Sequence, residues 1–116
     1  MDIEYIRQYC LNKKHTTEET PFDHYTLVFK VWGKMFCLFN MDTFESMNLK
    51  CEPHKSLELR EKYHGIKPGY HMHKKHWITI SFNADVPKSL LLQLIDNSYQ
   101  RVIETLPKKT QKNFEE

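Results

Sequence analysis

Apolar positions recur with two different periods along the chain, and the changes between these periods predict three helices and five strands. Near the start the period is the 3.6 residues of a helix. Asp2 is suited to cap this helix, which should end near Lys13. The polar stretch at 14–24, with its run TTEET and Pro21, predicts a loop. The apolar stripe of the first helix is Ile3, Ile6, Cys10 and Leu11.

After this loop the period falls to two, which predicts a hairpin with strands at 25–32 and 35–39 joined by Gly33 and Lys34. A third strand follows a turn at 40–44, and Met47, Leu49 and Cys51 alternate along it. The first strand of the hairpin has two partly apolar faces, so we expect something to cover its second face. Leu27, Phe29 and Val31 form one face, and Val28, Lys30 and Trp32 form the other.

Pro53 favours the first turn of a second helix, which has Leu57 and Tyr63 on its inner side and ends at Gly65. Two strands follow, a short one near 69–72 and a longer one at 76–82. The last long helix starts within 83–87, with Asp85 as its cap, and stops at Pro107. A further helical turn fits the polar tail. The core stripe of the last helix is Leu91, Leu94, Ile95, Val102 and Leu106.

The resulting order is α-β-β-β-α-β-β-α with short connections, which predicts a single two-layer α+β domain over residues 1–116. An antiparallel five-stranded sheet is expected to carry its helices on one face, with the first and last helices packed side by side. A chain of 116 residues is long enough to bury such a core without disulfides or a metal.

The composition of the chain indicates a folded domain that does not span a membrane. With 40% hydrophobic and 28% charged residues, the chain is typical of soluble folded domains. The chain has three cysteines, Cys10, Cys37 and Cys51, and all of them lie at positions of the apolar repeat. We therefore expect them to be buried and reduced, as in a cytoplasmic protein. No window approaches the ~18 apolar residues of a membrane span, and the start does not resemble an export signal, so no membrane contact is expected.

The net charge of +2 does not by itself indicate nucleic-acid binding, but the distribution of charge does. Residues 62–84 contain four lysines, four of the seven histidines and no acidic residue. The turn between the last two strands holds Lys74 and Lys75, which can contact phosphates, and aromatic residues beside them can stack on bases. The alternative is a solvated turn with Trp77 in the core. The candidate nucleic-acid-binding residues are Lys67, Tyr70, His71, His73, Lys74, Lys75, His76 and Trp77.

The sequence does not indicate a metal site, a cysteine nucleophile or a nucleotide-binding loop. His71, His73 and His76 are potential metal ligands, but no carboxylate or cysteine stands near them in the sequence to complete a coordination sphere. Cys37 lies within an apolar strand, where burial raises the pKa of a thiol and disfavours a nucleophile. The three glycines do not form a dinucleotide or phosphate-loop fingerprint. Neither a metal, nor a cofactor, nor an enzymatic activity is therefore predicted.

Four segments occur in the order GKMFCLF, LKCEP, PGYHMHKKHW and SYQRVIETLPKK. With them the chain resembles the bacterial MmcQ/YjbR family of small cytoplasmic proteins over nearly its whole length. One position departs from the family pattern, in which an asparagine commonly stands where this chain has His73. The resemblance implies DNA binding through a "double wing" of two hairpins, and a fold similar to that of secretion-chaperone-like domains.

Two functions from different classes follow. In the first, the two hairpins and the basic turn bind the backbone of DNA, and Lys30, Lys34 and Lys50 extend the patch if they lie on the same side. In the second, the half-apolar outer sheet face with Val28 and Trp32 binds a protein partner or a second copy of the chain. The exposure of Trp32 separates these hypotheses, because only an accessible apolar face can dock a partner.

Overall fold

The computed structural model describes residues 2–115, which form a six-stranded sheet with helices on one face. All neighbouring strands are antiparallel, in the order β1-β2-β3-β4-β6-β5. The α+β class and the antiparallel sheet are confirmed, but the prediction of five strands was one too few. The elements are α1 (Ile3–Leu11), β1 (Thr16–Glu19), β2 (Thr26–Val31), β3 (Lys34–Asn40), β4 (Ser46–Lys50), α2 (Pro53–Lys62), β5 (Ile66–Pro68), β6 (Trp77–Ser81), α3 (Lys88–Glu104), α4 (Lys108–Gln111) and a 3₁₀ turn (Lys112–Phe114).

The additional strand, β1, lies within the stretch that was predicted as a loop. It pairs with β2 at the edge of the sheet, and both of its glutamates are bound by cations. Glu18 forms an ion pair with Arg7 of α1, and Glu19 lies 3.2 Å from Nζ of Lys30. The prediction of a loop was wrong because an edge strand exposed to water needs no apolar alternation, and charges protect such an edge from aggregation.

The core lies between the sheet and the helices. The alternation predicted for β2 and β4 is confirmed, because Leu27, Phe29 and Val31 on one strand and Met47 and Leu49 on the other all face this core. We call the opposite side of the sheet the outer face.

Helices α1 and α3 pack side by side on the inner face, as predicted. The Tyr9 hydroxyl donates to the Asp96 carboxylate (2.9 Å), and Nζ of Lys13 lies 2.5 Å from the same group. Asp2 caps α1 by accepting a hydrogen bond from the backbone N–H of Tyr5 (2.8 Å), which confirms its predicted role. The predicted stripe of the last helix is buried throughout: Leu91, Leu94, Ile95, Val102 and Leu106.

Two details of the helices differ from the predictions. Leu57 is 51% exposed, and Ser56 and Leu59 are the buried residues of α2, so the helix is rotated from the predicted phase. Asp85 does not cap α3, which begins after Pro87 without a side-chain cap. Its carboxylate instead accepts hydrogen bonds from the backbone N–H groups of His64 and Gly65, 2.7 and 2.8 Å away.

The short strand β5 lies three residues before the stretch predicted to form it. Residues 65–69 contain two glycines and a proline, which are typical of a turn, but Ile66–Pro68 pairs with β6 at the sheet edge. A proline is compatible with an edge strand because its missing N–H can face solvent. As a result, residues 69–76 are free to form a loop over the outer face.

Candidate nucleic-acid interface

The loop between β5 and β6 carries most of the residues predicted to bind nucleic acid. It begins where the Gly69 N–H donates to the Trp77 carbonyl (2.9 Å), and it closes with a turn in which the N–H groups of His76 and Trp77 donate to the His73 carbonyl. A Cβ on Gly69 would lie 2.7 Å from Cβ of Trp77, so this close approach requires glycine. The loop therefore lies against the sheet and does not project as a free hairpin.

Most of the predicted residues are accessible on this loop or beside it. Lys67 is exposed on the edge strand β5, and His76 is half-buried where the loop meets β6. Seven of the eight predicted residues are therefore at least partly accessible. Those exposed within the loop are Tyr70, His71, His73, Lys74 and Lys75.

Trp77 does not form the stacking surface that the sequence suggested. It is 7% exposed, and a ring enclosed in this way is not accessible to a base. Tyr70, which is 66% exposed, is the accessible aromatic ring of the loop. Trp77 belongs to a second apolar cluster on the outer face, formed by Val28, Leu38, Trp77, Met35 and Met72.

Polar contacts hold the loop in shape. Nζ of Lys74 donates to the Gly69 carbonyl (2.7 Å), and the Lys75 N–H donates to Nδ1 of His73 (3.3 Å). The His71 ring lies against the Tyr70 ring, with centroids 3.9 Å apart, and the φ of His71 is 58°. Lys74 therefore closes the loop as well as carrying charge, whereas the ammonium group of Lys75 forms no ion pair within residues 2–115.

The end of the sheet beside this loop gathers further cations. Lys50, the last residue of β4, pairs with Trp77, and Lys34 begins the neighbouring antiparallel strand β3. Helix α3 brings Arg101 to the same place, where it lines a cavity of about 390 Å³ with Lys50, His76, Glu104 and Thr105. We call this cluster the basic end: Lys34, Lys50, Lys75, His76 and Arg101.

Burial and mutual repulsion both act on the basic end. Partial burial lowers the pKa of Lys50, and the charges of Lys34 and Arg101 lower it further. Nζ of Lys50 lies 5.9 Å from the centroid of the Trp77 ring, whose π face offers it partial compensation. Since none of the described ion pairs involves Lys34, Lys50 or Arg101, an anion would relieve the repulsion among them.

His76 is surrounded by cations, and Arg101 has a buried donor without a partner. Desolvation lowers the pKa of His76, and the charges of His73, Arg101, Lys75 and Lys50 lower it further. Nε of Arg101 is buried and has no hydrogen-bond acceptor among the described residues. A donor that has lost water without gaining a partner is costly, and an anion at this cavity can supply the acceptor.

Two of the three lysines proposed to extend the patch lie at the basic end, but Lys30 does not contribute, because Glu19 neutralises it. Sequence reasoning missed Arg101 altogether. It stands on α3 far along the chain from the histidine and lysine stretch, and no local pattern connects the two segments. Only the packing of α3 against β3 and β4 brings Arg101 to Lys50.

A groove of about 880 Å³ lies on the outer face, on the other side of the β5–β6 loop. Tyr70, His71, Met72 and His73 form one wall. The loop before β2 also lines the groove, through Phe22, which is 63% exposed. We call this space the outer groove; its further lining residues used below are Asp23, Tyr25, Asn40, Glu45 and Asn48.

The histidines of the loop do not converge on a metal site. His73 and His76 lie with their ring centroids 4.8 Å apart, whereas His71 packs on Tyr70. Within residues 2–115 no group of three or more histidine, cysteine or acidic side chains is arranged to hold a metal ion.

Taken together, these features define a small α+β protein with helices on one face of an antiparallel sheet and a cation-bearing loop on the other. The chain belongs to the YjbR family, whose family model matches residues 11–101. None of the helices within residues 2–115 is long and apolar enough to cross a membrane.

Individual relatives show the same kinship. The chain is 42% identical over 93 residues to the uncharacterised protein YbdF of Escherichia coli O157:H7, covering 79% of this chain and 76% of that protein. It is 27% identical over 113 residues to the uncharacterised protein YjbR of E. coli K12, covering 97% and 96% of the two chains.

Solved structures extend the comparison to the fold. A Deinococcus radiodurans protein of the domain family DUF419 superposes with a TM-score of 0.91 at 34% identity, covering 97% of this chain and 86% of that one. A Pseudomonas syringae protein superposes with a TM-score of 0.74 at 28% identity, covering 87% and 98%.

Proposed function

We propose that the protein binds DNA through its phosphates, largely independently of base sequence, with the basic end and the exposed β5–β6 loop as the contact surface. The observation that carries the proposal is the convergence of Lys34, Lys50, His76 and Arg101, none of which forms an ion pair within residues 2–115, although Glu104 lines the same cavity. Folding alone does not favour such a cluster, because like charges repel each other when they are partly buried. Bound phosphates would reverse this cost.

The contacts are expected to be mainly ionic. Lysines act as point charges on phosphates, whereas reading of base edges commonly uses planar groups that donate in pairs. Each neutralised phosphate contributes about 0.9 to the slope of log K against log salt, so three or four contacts predict a slope near −3. Affinity should therefore be modest and should fall steeply with salt.

The test replaces Lys74 and Lys75 together by glutamine and measures binding of random-sequence duplex DNA at several salt concentrations. The double variant should bind more weakly, and its slope should be flatter by up to about 2, because two phosphate contacts are lost. A Lys34→Gln variant should have a smaller effect in the same direction.

The matched control replaces Lys62 and Lys88 by glutamine, which removes the same charge. Both are exposed, and Lys88 lies 13 residues before Arg101 on α3, about 20 Å along the helix. Unchanged affinity and slope in the Lys74, Lys75 variant, or an equal loss in the control, would show that the loop is not the binding surface.

The alternative function, docking of a partner protein on the outer face, depended on Val28 and Trp32. Val28 is fully buried in the second apolar cluster. Trp32 is 46% exposed, but it lies in the β2–β3 turn, where its ring contacts those of His15 and Phe114. Val28 is thus not available to a partner, whereas Trp32, whose exposure was chosen to separate the two hypotheses, is accessible. Docking of a partner protein therefore stays the second proposed function.

A further inference from the structure

The outer groove differs from the basic end in its charge. Its lining contains no lysine or arginine, and it contains the carboxylates of Asp23 and Glu45. Desolvation raises the pKa of Asp23, but several hydrogen bonds from Thr26 and Tyr25 together lower this pKa below its usual range, so the group is ionised at neutral pH. A phosphate chain would be repelled from the groove, so an uncharged part of a nucleic acid is the better match.

Exposed aromatic rings surround this groove. Phe22, Tyr25 and Tyr70 all line it, and all three belong to the few large apolar side chains that the described structure leaves in water. Aromatic rings gain most from contact with another flat ring, and bases stack on them irrespective of sequence.

A chain of hydrogen bonds orients the amide of Asn48 in the groove. The Tyr70 N–H can only donate, so the Thr79 hydroxyl accepts from it (2.8 Å). The proton of this hydroxyl is then donated to Oδ1 of Asn48. Nδ2 of Asn48 therefore remains as a donor, and no described residue accepts from it.

Asn40 is oriented in the same way. Its Oδ1 accepts hydrogen bonds from the backbone N–H groups of Asp42 and Thr43, at 2.8 and 3.1 Å, which leaves its Nδ2 without a described acceptor. The groove thus presents two amide donors, the carboxylate of Glu45 as an acceptor and three aromatic rings, because both oxygens of Asp23 already accept hydrogen bonds from Tyr25 and Thr26. An unpaired base has an edge of donors and acceptors and a flat face, which match these groups.

We infer that the outer groove receives an unpaired nucleobase, which stacks on Tyr70 while the phosphates of the same strand lie on the basic end and the lysines of the loop. The inference rests on the proposed function and names the form of nucleic acid that the site prefers. A duplex keeps its bases paired and can use only the cations. Single-stranded DNA should therefore bind more tightly than a duplex of the same length.

Three probes of equal length, about 10 nucleotides, test this inference: single-stranded oligothymidine, a strand of the same backbone without bases, and a duplex. The parent protein should bind oligothymidine about tenfold more tightly than the strand without bases, because stacking of one base contributes roughly that factor. Tyr70→Ala should abolish this difference and weaken oligothymidine binding more than duplex binding, and Tyr70→Trp should restore the difference.

Tyr5→Ala is the matched control, because Tyr5 is also an exposed tyrosine but lies on α1, on the helical side of the sheet. Its variant should keep the preference. Equal binding of oligothymidine and the strand without bases by the parent, or an equal loss on all three probes in Tyr70→Ala, would overturn the inference while leaving phosphate binding intact. Failure of the parent to bind any probe at low salt would overturn both proposals.

Discussion

Ser98 satisfies two backbone groups of the sheet that no neighbouring strand pairs. It is fully buried on α3, and its hydroxyl accepts from the Lys50 N–H (2.8 Å) and donates to the Phe36 carbonyl (2.5 Å). Phe36 is the unpaired residue of a bulge, since Phe29 pairs with Cys37 and the next residue, Lys30, pairs with Met35. The serine hydroxyl thus connects two strands where their ladder is interrupted.

We expect Ser98→Ala to lower the free energy of unfolding by about 1–3 kcal/mol, because it leaves a buried N–H and a buried carbonyl without partners. Urea unfolding followed by circular dichroism measures the difference. Ser89→Ala, an exposed position on the first turn of the same helix, serves as the control and should be near neutral. Equal stability of the two variants would mean that the hydroxyl bridge contributes nothing.

Individual histidines also allow a test, because His71 is turned towards Tyr70 and away from the His73–His76 pair. We expect zinc in excess to leave the thermal midpoint unchanged. A metal bound at 100 times its dissociation constant would add about 2.7 kcal/mol, which a thermal melt detects easily. An increase in the midpoint that disappears in His71→Ala would contradict this expectation.

At the scale of the element, α3 serves two surfaces at once. Its apolar stripe packs on β2, β3 and β4, while Arg101, near its end, reaches the basic end. The helix therefore couples the stability of the core to the position of a charged group. A change in the stripe should act on folding first and on binding only through this positioning.

Leu94 is the test of this stripe, since it is 2% exposed and lies near the middle of α3. Leu94→Ala should lower the free energy of unfolding by about 2–5 kcal/mol, through lost burial and a cavity. Its neighbour Gln93 is exposed, and Gln93→Ala should have little effect in the same denaturation experiment. A near-neutral Leu94→Ala would mean that this part of the core is loosely packed.

In the molecule as a whole, some cations form ion pairs with carboxylates, whereas the cations of the basic end form none among the described residues. Lys13, Lys30 and Arg7 are paired with carboxylates, whereas the basic end has no such partner within residues 2–115. The fold therefore concentrates cations at the basic end, where Glu104 lines the same cavity, although the net charge of the chain is small. His76 is the member of this cluster whose charge changes near neutral pH.

DNA affinity should therefore depend on pH through His76. Its pKa in the free protein lies below the usual 6.5, so it is mainly neutral at pH 7, and nearby phosphates would raise this pKa. Binding then takes up protons, so affinity should rise as the pH falls from about 7.5 to about 6. His76→Gln should flatten this dependence, whereas His24→Gln, exposed in the loop before β2, should not.

The stability of the free protein should change in the opposite direction. Because the folded-state pKa of His76 is depressed, the unfolded chain binds more protons between the two pKa values. This contribution to stability is present above the unfolded pKa of about 6.5 and is lost as the pH falls below it. For the binding prediction, a DNA affinity that does not change with pH would exclude His76 as the responsible group. The same conclusion would follow if His76→Gln and His24→Gln flattened the pH dependence of DNA affinity equally.

The elements that have an apolar period could be predicted from the sequence alone. The stripes of α1 and α3, the β2–β3 hairpin and β4 were predictable, because burial of one face imposes a repeat that remains visible in the chain. The sequence alone also shows the acid-free stretch at 62–84, which the structure places partly on the β5–β6 loop. These are local properties, readable wherever neighbouring residues share one environment.

Features that depend on residues far apart in the chain follow from the tertiary fold and could not be predicted from the sequence. β1 and β5 form because partner strands supply their hydrogen bonds, and edge strands need little apolar pattern of their own. Arg101 joins Lys34 and Lys50 through the packing of α3, and Trp77 is buried because the loop folds back over the outer face. The physical reason is that both a charge cluster and a groove are defined by distances in space, which hydrophobic periodicity does not encode.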